Sequence, residues 1–365
     1  MDANQVGYEV DFLPVGDGEK SGDAITMRFG SLFRNPREQT VVVIDGGFKS
    51  NGEELVKHIK EFYQTGRVDC VVCTHPDADH VSGLSVVLEQ LEVGCLLMHQ
   101  PWNHTNDISH LFEDSRVTAA GVRQALIESL DQARDLEKLA TRKGIRIVEP
   151  FSGLNGFNGA LRVIGPTEAY YKSLLPGYRG TPEPEQKLAA LARFAAEAKE
   201  VVKKVAETFG IETLDDFGET TAENNSSAVL LLTVDGQSML FTADAGIPAL
   251  TEAISRLQQE GFDFATLKSI QVPHHGSRRN IGPTLLNTLV GPKLQGQEKK
   301  KTAFVSVSPE GAPKHPAKKV MNAFLRRGAP VHATSGKTVC HSHNAPARAG
   351  WVPSNAFPLF DEVEE

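Results

Sequence analysis

The stretch Thr74–Gly83, THPDADHVSG, decides how this chain is read. His75, Asp77, Asp79 and His80 crowd into six consecutive positions. Before them runs DCVVCT (69–74), an apolar segment too short for a helix and rich in β-formers. After them, Val81–Leu91 carries a helical pattern. A turn so placed lies at the carboxyl end of a strand, where alternating α/β sheets collect their ligands. A capping turn uses one such side chain. Two imidazoles and two carboxylates in H-x-D-x-D-H are costly to hold together unless something binds them. The set is large enough to face two adjacent metal ions.

Working outward, the N-terminal side shows three further strands, YEVDFLPV (8–15), AITMRF (24–29) and TVVVID (40–45). Asn51–Phe62 reads as a helix, with Leu55, Ile59 and Phe62 on one face, and GCLLMH (94–99) as another strand. The alternation predicts an α/β fold. Two segments interrupt it with helical patterns, 116–143 and 184–209, separated by the Pro/Gly-rich stretch 174–184. They read as helical insertions near 105–145 and 170–215 in a single domain spanning 1–365. On the C-terminal side, SAVLLLTV (227–234) and SMLFTAD (238–244) flank Asp235-Gly236, a hairpin turn. A helix over Pro248–Gln259, strands at 269–273 and 302–308, and a helix over 316–327 follow.

One turn cannot complete two metal sites, so donors must arrive from distant strands. FTADAG (241–246) puts Asp244 at the end of an apolar strand, where a carboxylate can bridge two cations. VPHHGS (272–277) puts His274 and His275 at the end of another, before Gly276, which permits close backbone approach. Cys70 and Cys73 form C-x-x-C inside a buried strand and read as core. Cys340, His341 and His343, in VCHSH, read as a surface loop.

Taken together, H-x-D-x-D-H, a strand ending in Asp and a strand ending in HHGS resemble the metallo-β-lactamase-fold hydrolases. Among these the chain is most similar to the hydrolase domain of the ComEC competence proteins and their soluble stand-alone relatives. Phe12–Ile25 (FLPVGDGEKSGDAI), VVVIDGG (41–47), NNSSAVLLL (224–232), Leu267–Ser277 and SVSPEGAPKHP (306–316) extend the likeness over most of the chain. The resemblance implies a four-layer αβ/βα sandwich with two divalent metal ions, zinc or manganese, at one sheet edge. His75 and Asp77 would hold one metal, Asp79 and His80 the second, and Asp244 would bridge them. One of His274 and His275 would complete the second site, with His275 favoured. Asp45 would orient ligands from beneath. The family's further His ligand has no counterpart, and Asn224 or Asn225 occupies that region. Asp77 replaces a usual imidazole, which makes the site harder and shifts it from zinc toward manganese. Asp79 would also orient the nucleophile, and His315 would serve at the mouth as a proton donor or phosphate contact.

Composition fits this picture. Hydrophobic residues make up 40% and charged residues 23% of 365 positions, which excludes disordered, collagen-like and coiled-coil chains. No run reaches the roughly 18–20 apolar residues of a membrane span, so no membrane partner is expected. No secretory leader pattern opens the sequence, and four cysteines make no disulfide framework, so the expected compartment is the cytoplasm. Net charge is −8, yet Lys268–Gly350 carries 14 Lys/Arg against 2 Asp/Glu. Arg278, Arg279, Lys318 and Lys319 are therefore candidate phosphate contacts along a nucleic acid. The expected function is metal-dependent phosphodiester hydrolysis, as a nuclease on DNA. A small-molecule hydrolase acting on a lactone, lactam, thioester or cyclic nucleotide is the alternative, and a metal-binding regulatory subunit a third.

Overall fold

The computed structural model describes residues 5–16, 18–112, 117–182, 204–208, 210–296, 298–311 and 315–364. Two seven-stranded sheets form its centre. Chain order gives Gly7–Phe12 (β1), Ala24–Gly30 (β2), Thr40–Gly46 (β3), Cys70–Val72 (β4), Cys95–Leu97 (β5) and Arg146–Val148 (β6). Asn155–Gly156 (β7), Leu161–Gly165 (β8), Val229–Val234 (β9), Gln237–Phe241 (β10) and Leu267–Gln271 (β11) follow. Thr302–Val305 (β12), Val331–Ala333 (β13) and Val339–His343 (β14) complete the set. The first sheet runs β14-β1-β2-β3-β4-β5-β6 and the second β13-β12-β11-β10-β9-β8-β7. In each, an antiparallel meander turns into parallel strands: β3 to β6 in one and β10 to β13 in the other.

Strand alternation sorts the core into three layers. Val42, Ile44 and Val72 face the other sheet and meet Leu230, Leu232, Met239 and Phe241. Val41, Val43 and Val71 point the opposite way, into a layer with Leu55, Leu84, Leu88 and Leu136 from the outer helices. The second sheet does the same against Leu250, Ile254, Leu286 and Phe324. The result is the four-layer αβ/βα metallo-β-lactamase sandwich that the resemblance implies.

Several local expectations are met. Helices span Ala119–Ser129 and Asp131–Arg142 within the first insertion, and Ile247–Gln259 and Lys318–Arg326 later in the chain. Others need correction. The helical pattern expected over 184–209 falls outside the described residues as far as 203. Its end, Lys204–Ala206, is a strand paired with Glu362–Glu364. Its short apolar alternation finds an antiparallel partner from the chain terminus, which local pattern cannot reveal. Cys340, His341 and His343 lie on β14, not on a loop, because Val339–His343 pairs along its length with β1. The helix expected from Val81 begins earlier, at Ala78, and breaks at Ser82–Gly83 before resuming over Leu84–Gln90.

Candidate metal centre

The carboxyl ends of the parallel strands converge at one edge of the sandwich. Asp45 ends β3, Thr74 and His75 follow β4, Asp244 follows β10, and His274 and His275 follow β11. Asp77 takes the N-cap position of the short helix Ala78–Val81, which carries Asp79 and His80 in its single turn. Gly83 lets that helix lie against β3, since a Cβ there would stand 2.0 Å from the Gly46 carbonyl oxygen. Asp45, Ala243, His274 and His275 all hold positive φ, between 44° and 56°. Non-glycine residues take this conformation at a cost, and four of them line this one edge.

Asp244 stands at the centre. Its Oδ1 lies 3.4 Å from His80 Nε2 and 3.8 Å from His275 Nε2. Its Oδ2 lies 3.4 Å from His274 Nε2 and 3.8 Å from His75 Nε2. Asp79 Oδ2 approaches His275 Nε2 at 3.9 Å, and Asp77 Oδ2 approaches His75 Nε2 at 3.7 Å. Each carboxylate oxygen of Asp244 thus faces its own pair of imidazoles.

The far side of each ring is tied down. His80 Nδ1 is 2.8 Å from Asp45 Oδ2, and His75 Nδ1 is 3.1 Å from Thr74 Oγ1, whose hydroxyl donates to the same Asp45 oxygen. His275 Nδ1 meets the Ser306 carbonyl at 3.0 Å, and His274 Nδ1 meets Asn280 Oδ1 at 3.0 Å. These partners accept from Nδ1–H and turn Nε2 toward the cluster, the arrangement of metal-ligating histidines. Among the described residues, Nε2 of His75, His80 and His275 and Oδ1 of Asp244 are buried without a hydrogen-bond partner. Buried polar atoms are rarely left so, and four aimed at one another fit a cation. One donor atom each from Asp79, His80 and His275 lies within 4.8 Å of the other two. The residues present therefore fit divalent metal ions.

Electrostatics agree. Burial and the neighbouring His80 push His75 well below the ordinary histidine range. Burial would also lower His80, but Asp244 and Asp45 outweigh it and hold His80 well above that range. Burial would raise Asp244, yet His274, His80 and His275 hold it well below the usual carboxylate value. The chain holds Asp244 as an anion among imidazoles, as a bridging ligand requires.

The structure refines several expectations. Both His274 and His275 reach Asp244, on opposite oxygens, so the choice between them dissolves. His274 and His75 face the same oxygen of Asp244, so His274 falls in the half of the site that lacked a second imidazole. Asn224 comes within 3.2 Å of His274 Nδ1, whereas Asn225 donates instead to the Thr220 and Thr221 carbonyls. Asn225 is thus fixed by its own short helix, Ala222–Asn225, and Asn224 is the one at the site. His315 stacks on His274 with ring centroids 5.7 Å apart, at the edge of the cluster.

Sequence reasoning missed Arg179, whose Nη1 is 2.5 Å from Asp77 Oδ1. It arrives from a loop with no motif, its backbone N–H bonded to Glu223. It missed Asn280 and Gln271 as well, because amides in ordinary sequence carry no signal. Asp23 was legible only as part of the Gly-Asp-Ala turn in 12–25.

The basic residues divide. Lys318 is exposed, with Nζ 5.3 Å from the Phe360 ring, and Arg278 and Arg279 are partly exposed. Lys319 is only 5% exposed, and burial and the nearby Arg278 lower its pKa. It packs beneath the terminal strand, where Glu364 accepts from its backbone N–H, and it offers no open phosphate contact. Gly218, on an acidic segment holding Asp215, Asp216 and Glu219, presses against Arg279, with its hypothetical Cβ 2.4 Å from the Arg279 carbonyl. The local positive field is weaker than sequence counting implied. Among the described residues, no helix is long and apolar enough to cross a membrane.

Comparison with known proteins finds a family model that matches part of the chain. Residues 31–139 match the family model of the metallo-beta-lactamase superfamily, a stretch that includes Asp45 and the H-x-D-x-D-H motif. No curated protein matches the chain. Among solved structures, a metallo-beta-lactamase candidate from Thermotoga maritima is similar at 12% identity and a TM-score of 0.32, covering 65% of this chain and 78% of that one. A variant of the CmlA beta-hydroxylase is similar at 12% identity and a TM-score of 0.38, covering 92% of this chain. This chain spans about half, 53%, of that hydroxylase. With its sandwich, matched segment and convergent histidines, the chain is similar to the metallo-beta-lactamase superfamily over residues 31–139, a superfamily generally of metal-dependent hydrolases.

Proposed function

We propose that the protein is a dinuclear metal-dependent phosphodiesterase acting on DNA. The observation that carries this reading is Asp244, whose two oxygens each face two imidazoles. His75, His274 and Asp77 surround one cation position, and His80, His275 and Asp79 the other. Divalent cations held there would supply Lewis acidity and charge stabilisation at the phosphorus. Asp79, 31% exposed at its side chain, is the least buried of the acidic donors nearest Asp244 and would orient an attacking water. His315, stacked on His274, would donate a proton to the leaving oxygen. Arg179 fixes Asp77 and directs positive charge toward the mouth, where an anionic phosphate would enter.

The ComEC-like arrangement of motifs and the partly exposed Arg278, Arg279 and Lys318 support nucleic acid as the substrate. One observation favours the second reading, a small-molecule hydrolase: an acidic segment lies against Arg279, and Lys319 is buried. A single experiment separates them. Protein reconstituted with manganese or zinc is incubated with single-stranded DNA, duplex DNA, RNA, a chromogenic phosphodiester and a lactone. Cleavage of DNA, with slower turnover of the small phosphodiester, is expected. Lactone hydrolysis with intact nucleic acids would replace the nuclease reading with the second one.

A further inference from the structure

Asp23 lies outside every ligand assigned above, yet its carboxylate is fully buried at the same edge. The residue is 1% exposed and its Oδ1 has no hydrogen-bond partner among the described residues. Its other oxygen, Oδ2, accepts from Gln271 Nε2 at 2.9 Å. Gln271 is itself locked, since its Oε1 accepts from the Thr242 and Ala243 backbone N–H groups at 3.0 Å. The backbone is stitched into the site too. Asp23 N–H donates to the Asp79 carbonyl at 3.3 Å, and the Asp23 carbonyl accepts from Gly47 at 2.7 Å. Asp23 thus has one oxygen held and one left bare, just as His75, His80 and His275 each have one ring nitrogen held and one left bare. One donor atom each from Asp23, His80 and Asp244 lies within 4.8 Å of the other two.

A buried carboxylate oxygen that receives no hydrogen bond is among the costliest groups to bury. Among the described residues, the charged neighbour of Asp23 is the His80 imidazole rather than an arginine or lysine. Arg179 is spent on Asp77. Asp23 Oδ2 lies 3.9 Å from His80 Nδ1, but that nitrogen is already 2.8 Å from Asp45. A cation on the His80 side of Asp244 would satisfy the bare oxygen and offset the repulsion between the two carboxylates.

We propose that Asp23 is a direct ligand of the cation held by Asp79, His80, His275 and Asp244, and that it makes this position selective for a hard metal ion. With Asp23 that position has three carboxylates and two imidazoles. The position between His75 and His274 has two imidazoles, the shared Asp244 and an Asp77 already paired with Arg179. Oxygen-rich sets of five or six donors suit manganese or magnesium, and nitrogen-rich sets of about four suit zinc. The two halves of the centre therefore prefer unlike cations. The inference rests on the dinuclear reading above.

The test is Asp23→Asn, which keeps the shape and still accepts from Gln271. Manganese binding is measured by calorimetry, and metal content by elemental analysis after loading with equal zinc and manganese. Cobalt-substituted protein adds a spectroscopic readout. Wild type should bind two cations, one of them manganese in the mixed loading. The variant should bind manganese at least tenfold more weakly and retain zinc. Its cobalt visible bands should strengthen as one centre loses a ligand and moves toward four-coordination. Metal-free thermal unfolding should be no lower than wild type, since a buried unpaired charge has been removed. Unchanged manganese affinity with an unchanged cobalt spectrum, in a variant that still binds two cations, overturns the role of Asp23 alone. A wild-type protein that binds no divalent cation overturns the dinuclear reading and this proposal with it.

Discussion

Two of the buried clusters of charge among the described residues are built on opposite principles. The first is the centre around Asp244. The second surrounds Asp11, on β1. Arg348 donates to both Asp11 oxygens, at 2.8 and 2.9 Å, and to Glu9 at 2.9 Å. Tyr63 donates to Asp11 at 2.6 Å, and Arg28 to Glu9 at 2.5 Å. The Arg348 guanidinium lies 4.7 Å from the Trp351 ring and 5.1 Å from the Phe62 ring. Here the carboxylates are saturated by cations that the chain itself supplies. Around Asp244 the chain supplies imidazoles turned Nε2-inward and leaves those of His75, His80 and His275 without hydrogen-bond partners among the described residues. A buried carboxylate that is closed on all sides fastens structure, whereas one left open with its neighbours preorganised awaits a ligand. Sequence charge alone does not separate them, since both are acidic residues in or just after strands.

The comparison predicts a double dissociation. Asp244→Asn should cost the most: an amide bridges cations poorly, so hydrolysis should fall about a thousandfold or more, several kcal/mol of lost transition-state stabilisation. Metal-free stability should fall less than in Asp11→Ala, by the loss of the charge that raises His80. Elemental analysis that finds two cations in this variant would show that Asp244 is not the bridge.

Asp11→Ala should behave in reverse. It leaves the Arg348 charge in a buried setting with only Glu9 to answer it. The cost is about 3 kcal/mol, the low end of the range for breaking a buried pair because one acceptor remains. Chemical denaturation should show that loss, while metal stoichiometry stays at the wild-type value. Loss of metal in this variant would mean that the two clusters are coupled through the first sheet.

Asp45→Asn should fall between the two. It touches no cation but holds Thr74 and His80, so metal affinity should drop roughly 10–100-fold with a smaller loss of fold stability. Calorimetric titration reads this directly.

Acid should distinguish the clusters by sign. Burial would raise Asp11, but hydrogen bonds and charge from His58 and Arg348 hold it below the usual carboxylate range. Its stabilisation is therefore full above the unfolded value of about 3.9 and is lost as pH falls through its lower folded value. His80 is held above the histidine range, so in metal-free protein its contribution is full below about 6.5 and is lost as pH rises through its folded value. Metal binding must displace that proton. The binding enthalpy should accordingly vary with the ionisation enthalpy of the buffer near neutrality, and a buffer-independent enthalpy would exclude a protonated His80.

The smallest effect belongs to the basic edge. Arg279→Glu with Lys318→Glu should raise KM for long DNA several-fold and flatten its salt dependence, with turnover of a small phosphodiester nearly unchanged. Equal effects on both substrates would place these charges at the metal centre, and no effect on either would favour the small-molecule reading.

How much was legible follows from the range of each interaction. H-x-D-x-D-H, the strand-end Asp244 and the HHGS pair announce themselves, because metal ligation demands particular side chains at fixed short spacings after short apolar runs. Strand alternation likewise gave the α/β class, since burial of one face imposes a period of two. Other features depend on contacts between distant parts of the chain. Only folding brings Asp23 and Gln271 together across 248 positions, Arg179 onto Asp77 across 102, and Arg348 onto Asp11 across 337. Lys204–Ala206 becomes a strand only because Glu362–Glu364 arrives beside it. The amino-acid sequence determined which atoms could hold a cation. The tertiary structure decided which of them face one another and which buried charges close on themselves, because burial and hydrogen-bond geometry are properties of the packed edge and not of any single segment.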